Sequence, residues 1–151
     1  IRKNPVIRVP LRCPRLRVPN RRELCTQPVF HQAVLKAIAP LSETPMLAMG
    51  DTNTGVPGID ESSRYFTVKE GQWLKDLEGA GWVDVWRQRN PKKRDYTYHS
   101  SGGSGFRIDQ LFATRKFIDR VSNVQYKWGR PSTDKSRGPS DHAAIIVDLE
   151  A

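Results

Sequence analysis

The chain has 151 residues, which is enough for one domain with a sizeable core. Hydrophobic residues make up 37% and charged residues 27%, and the 4 Trp, 4 Tyr and 5 Phe argue against intrinsic disorder. These residues contain no run of 18 apolar positions, which excludes a transmembrane helix. Because an apolar signal-peptide core is also absent, we expect an intracellular protein with Cys13 and Cys25 reduced; a single bridge between them is the alternative.

The positive charge is concentrated at one end of the chain. The formal net charge is +9, and 8 of the 25 basic residues lie within residues 1–22, which contain no acidic residue. The remaining residues are nearly balanced, with 17 basic against 16 acidic side chains. An Arg- and Pro-rich segment can attract phosphate, but a solvated arm or a protected strand edge has the same composition. Both interpretations stay open on composition alone.

Two segments have helical periodicity. A helix is predicted over 27–39, ending at Pro40. Its apolar stripe consists of Phe30, Val34, Ile38 and Leu41. A second helix is predicted over 68–78, because Thr67 and Glu70 have the spacing of a capping box. Its apolar face consists of Trp73, Leu74 and Leu77, and Gly79 is expected to end it.

The other apolar segments predict strands. Residues 45–49 are apolar throughout, which is typical of a strand buried on both faces. Further strands are predicted over 83–86, 96–99, 106–112, 121–128 and 143–149. The strands at 96–99 and 106–112 would form a hairpin across the Gly-rich loop 102–105. Trp73, Trp82 and Trp86 are expected in the core. His31 is expected on the first helix, either at the surface or at an interface. This order of elements favours a layered α/β or α+β sheet structure.

A first polar cluster follows the strand at 45–49. Asp51 and Asn53 stand two residues apart in GDTN. An aspartate can bind a hard cation or accept a proton, and an asparagine can donate to a phosphate oxygen. A tight turn also favours these residue types, so GDTN alone does not separate a ligand site from a turn.

Two further clusters contain acids and a histidine. Asp109 interrupts the apolar run FRIDQLF, and a buried acid there needs a cation, a histidine or hydrogen-bond donors. An ion pair on a solvated face is the plain alternative. Asp141 and His142 precede the final strand and should face opposite sides, so we expect different tasks for them. A histidine held by a carboxylate can stabilise a developing anion, although a strand-start turn would explain the same pair.

Taken in order, GDTN, YTYHS, FRIDQLF and SDHAAIIVDL resemble the endonuclease/exonuclease/phosphatase superfamily of exonuclease III-type and DNase I-like phosphodiesterases. RVPN at 17–20 is similar to a Tyr-Val-Pro-Asn segment of that family, with Arg17 in the tyrosine position. GWVDVWR at 81–87 resembles another strand of the family. The resemblance implies an α/β (α+β) fold: half of a four-layer α/β-sandwich of the DNase I-like type, with a mixed, mostly antiparallel sheet and helices on one face.

The resemblance also implies catalytic roles. Asp51 would orient or deprotonate the attacking water, and Asn53 would hydrogen-bond both this water and the phosphate. His142 would donate to a non-bridging phosphate oxygen, with Asp109 orienting its ring. These roles suit phosphodiester attack, which needs a positioned water and donors for the developing negative charge.

For the metal and the phosphate, the resemblance implies four residues. Asp141 and Asp51 would be ligands of Mg²⁺, or of Mn²⁺ in its place. Asn20 and Arg17 would bind phosphate. The implied activity is Mg²⁺-dependent phosphodiester hydrolysis on DNA or RNA.

The resemblance is to the C-terminal half of the family domain, so residues 1–151 would form a single partial domain that includes the basic segment 1–22. The half that carries the family's principal metal-binding Glu is not found in these residues. The expected partners are therefore nucleic acid and a missing N-terminal half or another chain. Alternative functions are a phosphatase or lipid phosphodiesterase of the same fold, or a non-catalytic fragment that binds nucleic acid or a partner half.

Overall fold

In the computed structural model, which describes residues 27–129 and 140–150, both helices predicted from periodicity are present. The first, α1 (Gln27–Ile38), continues into a single 3-10 turn (Ala39–Leu41). The second is α2 (Val68–Gly79). None of the helices in this described part of the chain is long and apolar enough to cross a membrane.

The ends of α2 show one prediction confirmed and one corrected. The predicted capping box is present: the Thr67 side chain accepts from the backbone N–H of Glu70, whose carboxylate accepts from the backbone N–H of Thr67. The expected stop at Gly79 is wrong, because Gly79 is still helical. The chain leaves the helix through Ala80 and Gly81, which has a φ of +89° that glycine adopts without steric cost.

The strands of the described residues form three antiparallel sheets. A three-stranded sheet has the order β1-β5-β2, and the other two sheets pair β3 with β4 and β6 with β7. The strands are β1 (Leu47–Asp51), β2 (Trp82–Asp84), β3 (Tyr98–His99), β4 (Gly105–Phe106), β5 (Asp109–Thr114), β6 (Val121–Lys127) and β7 (Ala144–Leu149). The α/β class and the antiparallel pairing agree with the expected fold.

The β1-β5-β2 sheet lies between helices on one side and strands on the other. Alternate residues of β5 face opposite sides, so Phe112 and Leu111 belong to different cores. On the helix side, the buried residues are Ile38, Met46, Trp73, Leu77, Trp82 and Phe112. On the side of β6 and β7, they are Val85, Trp86, Leu111, Ala113, Phe117, Val121 and Val124. The three tryptophans expected in the core are therefore buried.

Two strand predictions need correction. The segment 45–49 is not buried on both faces: Met46 is buried, but Met49 is 44% exposed, because β1 is an edge strand of the described sheet. The strand also continues through Asp51, which was expected in the turn. The segment 83–86 is strand only to Asp84, whose carboxylate accepts from the backbone N–H of Arg87 and starts a short helix, α3 (Val85–Arg89).

The run 106–112 is not one strand. Phe106 pairs with Tyr98 in the β3-β4 hairpin, whereas β5 starts at Asp109 and pairs with β1 and β2. The break is stabilised by Thr97, whose hydroxyl oxygen accepts from the backbone N–H groups of Ile108 (3.1 Å) and Asp109 (3.0 Å). The predicted hairpin is therefore present but short, and the second half of the run belongs to another sheet.

Candidate active site

The first element of the site is the end of β1. Asp51 lies directly opposite Asp109 in the antiparallel pairing of β1 with β5. The Asp51 carboxylate accepts from the backbone N–H of Asn53 at 2.8 Å, and Asn53 has a φ of +50°, a left-handed conformation that asparagine tolerates better than most residues. This tight turn holds Asp51 and Asn53 close together at the end of the strand.

The second element is the histidine before β7. His142 donates from Nδ1 to the Asp109 carboxylate at 2.8 Å. Its ring lies 4.9 Å from that of Tyr98, and the two residues form an isolated β-bridge. Asp109 thus connects the histidine before β7 to the carboxylate at the end of β1.

The electrostatics of the site raise the pKa of both Asp51 and His142. Burial raises the pKa of Asp51, and the nearby charge of Asp109 raises it further against the opposing effects of the Asn53 backbone hydrogen bond and of His142. Burial alone would lower the pKa of His142, but the hydrogen bond and charge of Asp109, together with Asp51 and Asp141, raise it. Because its pKa is raised, His142 can carry and donate a second ring proton at a higher pH than an ordinary histidine can.

Thr97 is a positioning residue that sequence reasoning did not identify. Its side chain is fully buried, its hydroxyl binds the backbone at the start of β5, and its carbonyl accepts from the backbone N–H of Ala143 at 2.7 Å. It therefore holds the strand that carries Asp109 and the segment that carries His142. The pattern YTYHS resembles a family segment, but nothing in it singles out the threonine.

A buried ionic cluster beneath the site was also missed. Arg107 is completely buried and donates to Asp60 (2.7 and 2.9 Å) and Asp84 (2.5 and 3.3 Å). The clearest signal in the sequence is an arginine within the apolar run FRIDQLF, which at such a position needs acidic partners. Burial alone would raise the pKa of Asp60, but Arg107, together with the backbone N–H of Val56 and the guanidinium of Arg87, lowers it.

This cluster reaches the site through Tyr126. The Tyr126 hydroxyl accepts from Arg107 at 3.2 Å and donates to the backbone carbonyl of Asp109 at 3.1 Å. Burial raises the pKa of Tyr126 to about 12, so the hydroxyl keeps its proton for that bond. The cluster therefore fixes the backbone of the residue that orients His142.

His31 was expected at the surface or at an interface, and it is only 2% exposed. The surface alternative is wrong, because a helix face becomes interior where another element covers it. Here α2 covers it, and the His31 ring stacks on Trp73 with 4.4 Å between ring centroids and 15° between planes.

The structure brings together most of the candidate residues that it describes. Asp51, Asn53, Asp109 and His142 share one site, while Asp141 next to them is exposed and acts on His142 through its charge. Some of the residues singled out in the sequence lie outside the described residues: Arg17, Asn20, Cys13, Cys25 and the segment 1–22. Within 27–129 and 140–150, no group of three or more His, Cys, Asp or Glu side chains is placed to hold a metal ion.

Solved structures with a similar fold are exonucleases, phosphatases and AP endonucleases. The 3′ phosphatase NExo from Neisseria, bound to a product DNA hairpin, superposes with a TM-score of 0.70 at 19% identity, over 82% of this chain and 52% of that chain. The 3′-5′ exonuclease NExo from Neisseria meningitidis gives 0.69 at 20% identity, over 82% and 53%. An AP endonuclease from Archaeoglobus fulgidus gives 0.65 at 23% identity, over 83% and 55%.

No protein-family model matches the sequence. The chain spans about half the length of these solved structures. The chain has the α/β fold of these exonuclease, 3′ phosphatase and AP endonuclease structures.

Proposed function

We propose that this chain carries the phosphate-facing half of a nuclease that hydrolyses phosphodiester bonds in DNA or RNA. The observation that carries the proposal is the convergence of Asp51, Asp109 and His142 from β1, β5 and the start of β7. A carboxylate beside a carboxylate-bound histidine provides a proton acceptor and a proton donor within one site. The fold similarity to nucleases supports this assignment.

In the proposed reaction, Asp51 orients the attacking water or accepts its proton. Its raised pKa brings the carboxylate closer to the range in which a general base works well. Asn53 hydrogen-bonds the water and a phosphate oxygen. Because Asp109 holds the Nδ1 proton of His142, Nε2 can donate only when the ring is doubly protonated, and the raised pKa of His142 favours that form. His142 then donates to a non-bridging oxygen as negative charge develops on it.

The described residues supply oxygen ligands of the kind that Mg²⁺ binds but do not complete a metal site. Asp51 and Asp141 are the proposed ligands, and further ligands must come from outside the described residues. We therefore propose dependence on Mg²⁺, or on Mn²⁺ in its place.

A second part of the domain is proposed to complete the fold. Two large apolar side chains on the described strands are open to solvent. Met49 of β1 is 44% exposed, and Leu149 of β7 is 45% exposed. Residues 1–151 would thus be one partial domain that needs an N-terminal half or another chain.

Nucleic acid is the proposed substrate for two reasons. The segment 1–22 has eight basic residues and no acidic one, and Arg17 and Asn20 within it are the proposed phosphate-binding residues. The similar NExo structure holds a product DNA hairpin. Because that protein is a 3′ phosphatase, removal of a terminal 3′-phosphate from DNA is the second candidate activity.

A nicking assay tests the proposal. Supercoiled plasmid with Mg²⁺ should be nicked by the protein, whereas Asp51→Ala and His142→Ala should lower the rate by about 10²-fold or more. Asp119→Ala is the matched control, because Asp119 is an exposed acid on the 3-10 turn Ile118–Arg120. A 3′-phosphorylated oligonucleotide in parallel separates the two activities. Equal rates for Asp51→Ala and the control would remove the site assignment.

If the chain alone is inactive, the same assay is repeated with a separately expressed N-terminal half of a similar nuclease. Recovery of Mg²⁺-dependent nicking that is lost in Asp51→Ala would support both the site and the partial domain. Binding of DNA without hydrolysis under either condition would favour the non-catalytic fragment instead.

A further inference from the structure

His31 makes a hydrogen bond directly to the turn that carries the proposed catalytic residues. Its Nε2 donates to the backbone carbonyl of Thr52 at 2.9 Å. In turn, the His31 carbonyl accepts from the Trp73 indole N–H at 2.8 Å. The ring of His31 is therefore fixed against the turn that follows β1, and its backbone is fixed against α2.

Thr52 stands between Asp51 and Asn53 and is held from two sides. Its backbone N–H donates to the Ile108 carbonyl at 2.8 Å, and its hydroxyl donates to the same carbonyl at 2.9 Å. These bonds fix the turn to the start of β5, while the bond from His31 fixes it to α1. Losing either anchor would let the peptide group between Thr52 and Asn53 rotate.

We propose that His31 is a positioning residue that holds the Asp51–Asn53 turn in its reactive geometry through the Thr52 carbonyl. The inference deepens the proposed function and rests on it for the catalytic part. His31 touches no residue that would react; it acts on Asp51 and Asn53 through the backbone between them.

The hydrogen bond to the Thr52 carbonyl requires a proton on Nε2 of His31. A side chain that only filled the same space would not supply this donor. The imidazole is 2% exposed, and burial lowers its pKa against the opposing effects of the Thr52 carbonyl and of Glu70, the charged group that faces it from α2. It is therefore neutral near pH 7, with its single proton on Nε2. A buried carbonyl that loses such a donor loses its hydrogen bond and is left unsatisfied.

Two substitutions separate the donor from the packing. His31→Gln keeps a side-chain N–H that can reach a backbone carbonyl, whereas His31→Leu keeps apolar contact with Trp73 but cannot donate. We expect backbone amide exchange at Thr52 and Asn53 to become about tenfold faster in His31→Leu, with exchange in β6 unchanged. His31→Gln should stay within about threefold of the wild-type rates.

Hydrolysis gives the catalytic readout. His31→Leu should lower kcat about tenfold with KM within about twofold, because misplacement of the turn affects the chemical step more than binding, and His31→Gln should restore most of kcat. Equal kcat and equal exchange in the two variants would overturn the inference.

The NMR tautomer of His31 in the wild-type protein is decisive even if neither variant folds. A proton on Nε2 is required, and a neutral ring protonated at Nδ1 would overturn the inference. If the wild-type protein hydrolyses nothing, the proposed function fails, while the tautomer and the exchange rates still decide whether His31 holds the turn.

Discussion

Asp51→Asn should make the protein more stable and, at the same time, inactive. Asp51 and Asp109 lie opposite each other on β1 and β5, and like charges in this arrangement destabilise a sheet. The pKa of Asp51 is raised by burial and by Asp109, so its ionised form is disfavoured in the folded protein. An asparagine removes the charge but can still accept from the backbone N–H of Asn53.

The expected gain in stability comes from removing the charge repulsion between Asp51 and Asp109, which are paired across β1 and β5. Such pairs contribute roughly 0.2–1 kcal/mol, so the free energy of unfolding at pH 7 should rise by about 0.5–1 kcal/mol. That corresponds to an increase in Tm of about 1–4 °C for a chain of this size. Asp119→Asn, at an exposed position, should change the free energy of unfolding by less than about 0.5 kcal/mol.

Urea unfolding as a function of pH measures this effect. Because the folded pKa of Asp51 is raised, the wild-type penalty is present while Asp51 is ionised and disappears as the pH falls through that pKa towards the ordinary value of 3.8. The stability gap between Asp51→Asn and wild type should therefore close at low pH. A variant that is less stable than Asp119→Asn at pH 7, or a gap that does not depend on pH, would refute the reasoning.

Three further predictions concern other parts of the structure. Because the pKa of His142 is raised in the folded protein, its protonation stabilises the fold fully below the ordinary pKa of 6.5, and this contribution is lost as the pH rises through the folded pKa. Asp109→Asn removes the main partner of His142 and should therefore flatten the dependence of Tm on pH. Arg107→Met should cost about 3–5 kcal/mol in urea unfolding, because it leaves buried acids unpaired, whereas the exposed Arg115→Met should cost little. Thr67→Ala should lower the free energy of unfolding by about 1 kcal/mol, and an unchanged Tm would argue against the capping box.

Local signals in the sequence determined the helices. The capping box at Thr67 and Glu70 involves residues within one turn, so its partners are close in the sequence and can be recognised there. The apolar stripe of α1 likewise follows from helical spacing, and Ile38 is buried as this spacing requires. The β6 and β7 strands were predicted to within one residue at each end. For β7 the signal is an apolar run that follows the polar segment at Asp141 and His142.

The composition of the site could also be predicted, through the order of its motifs rather than through spacing. GDTN, FRIDQLF and SDH contain the side chains that converge, but their positions are far apart in the chain. That Asp109 would bind His142 was implied by resemblance to a family. In the structure it follows from Thr97, which binds the backbone of β5 and of the segment before β7.

Only the tertiary structure decided which polar residues are interior. His31 and Trp73 are 42 residues apart, and no periodicity reveals that α2 covers one face of α1 there. The break in 106–112 has the same origin, since Arg107 is held by acids from two distant segments while Thr97 binds the next backbone groups. Local propensities act within a turn or a strand, whereas burial and strand pairing depend on contacts between distant segments, which the sequence contains only implicitly.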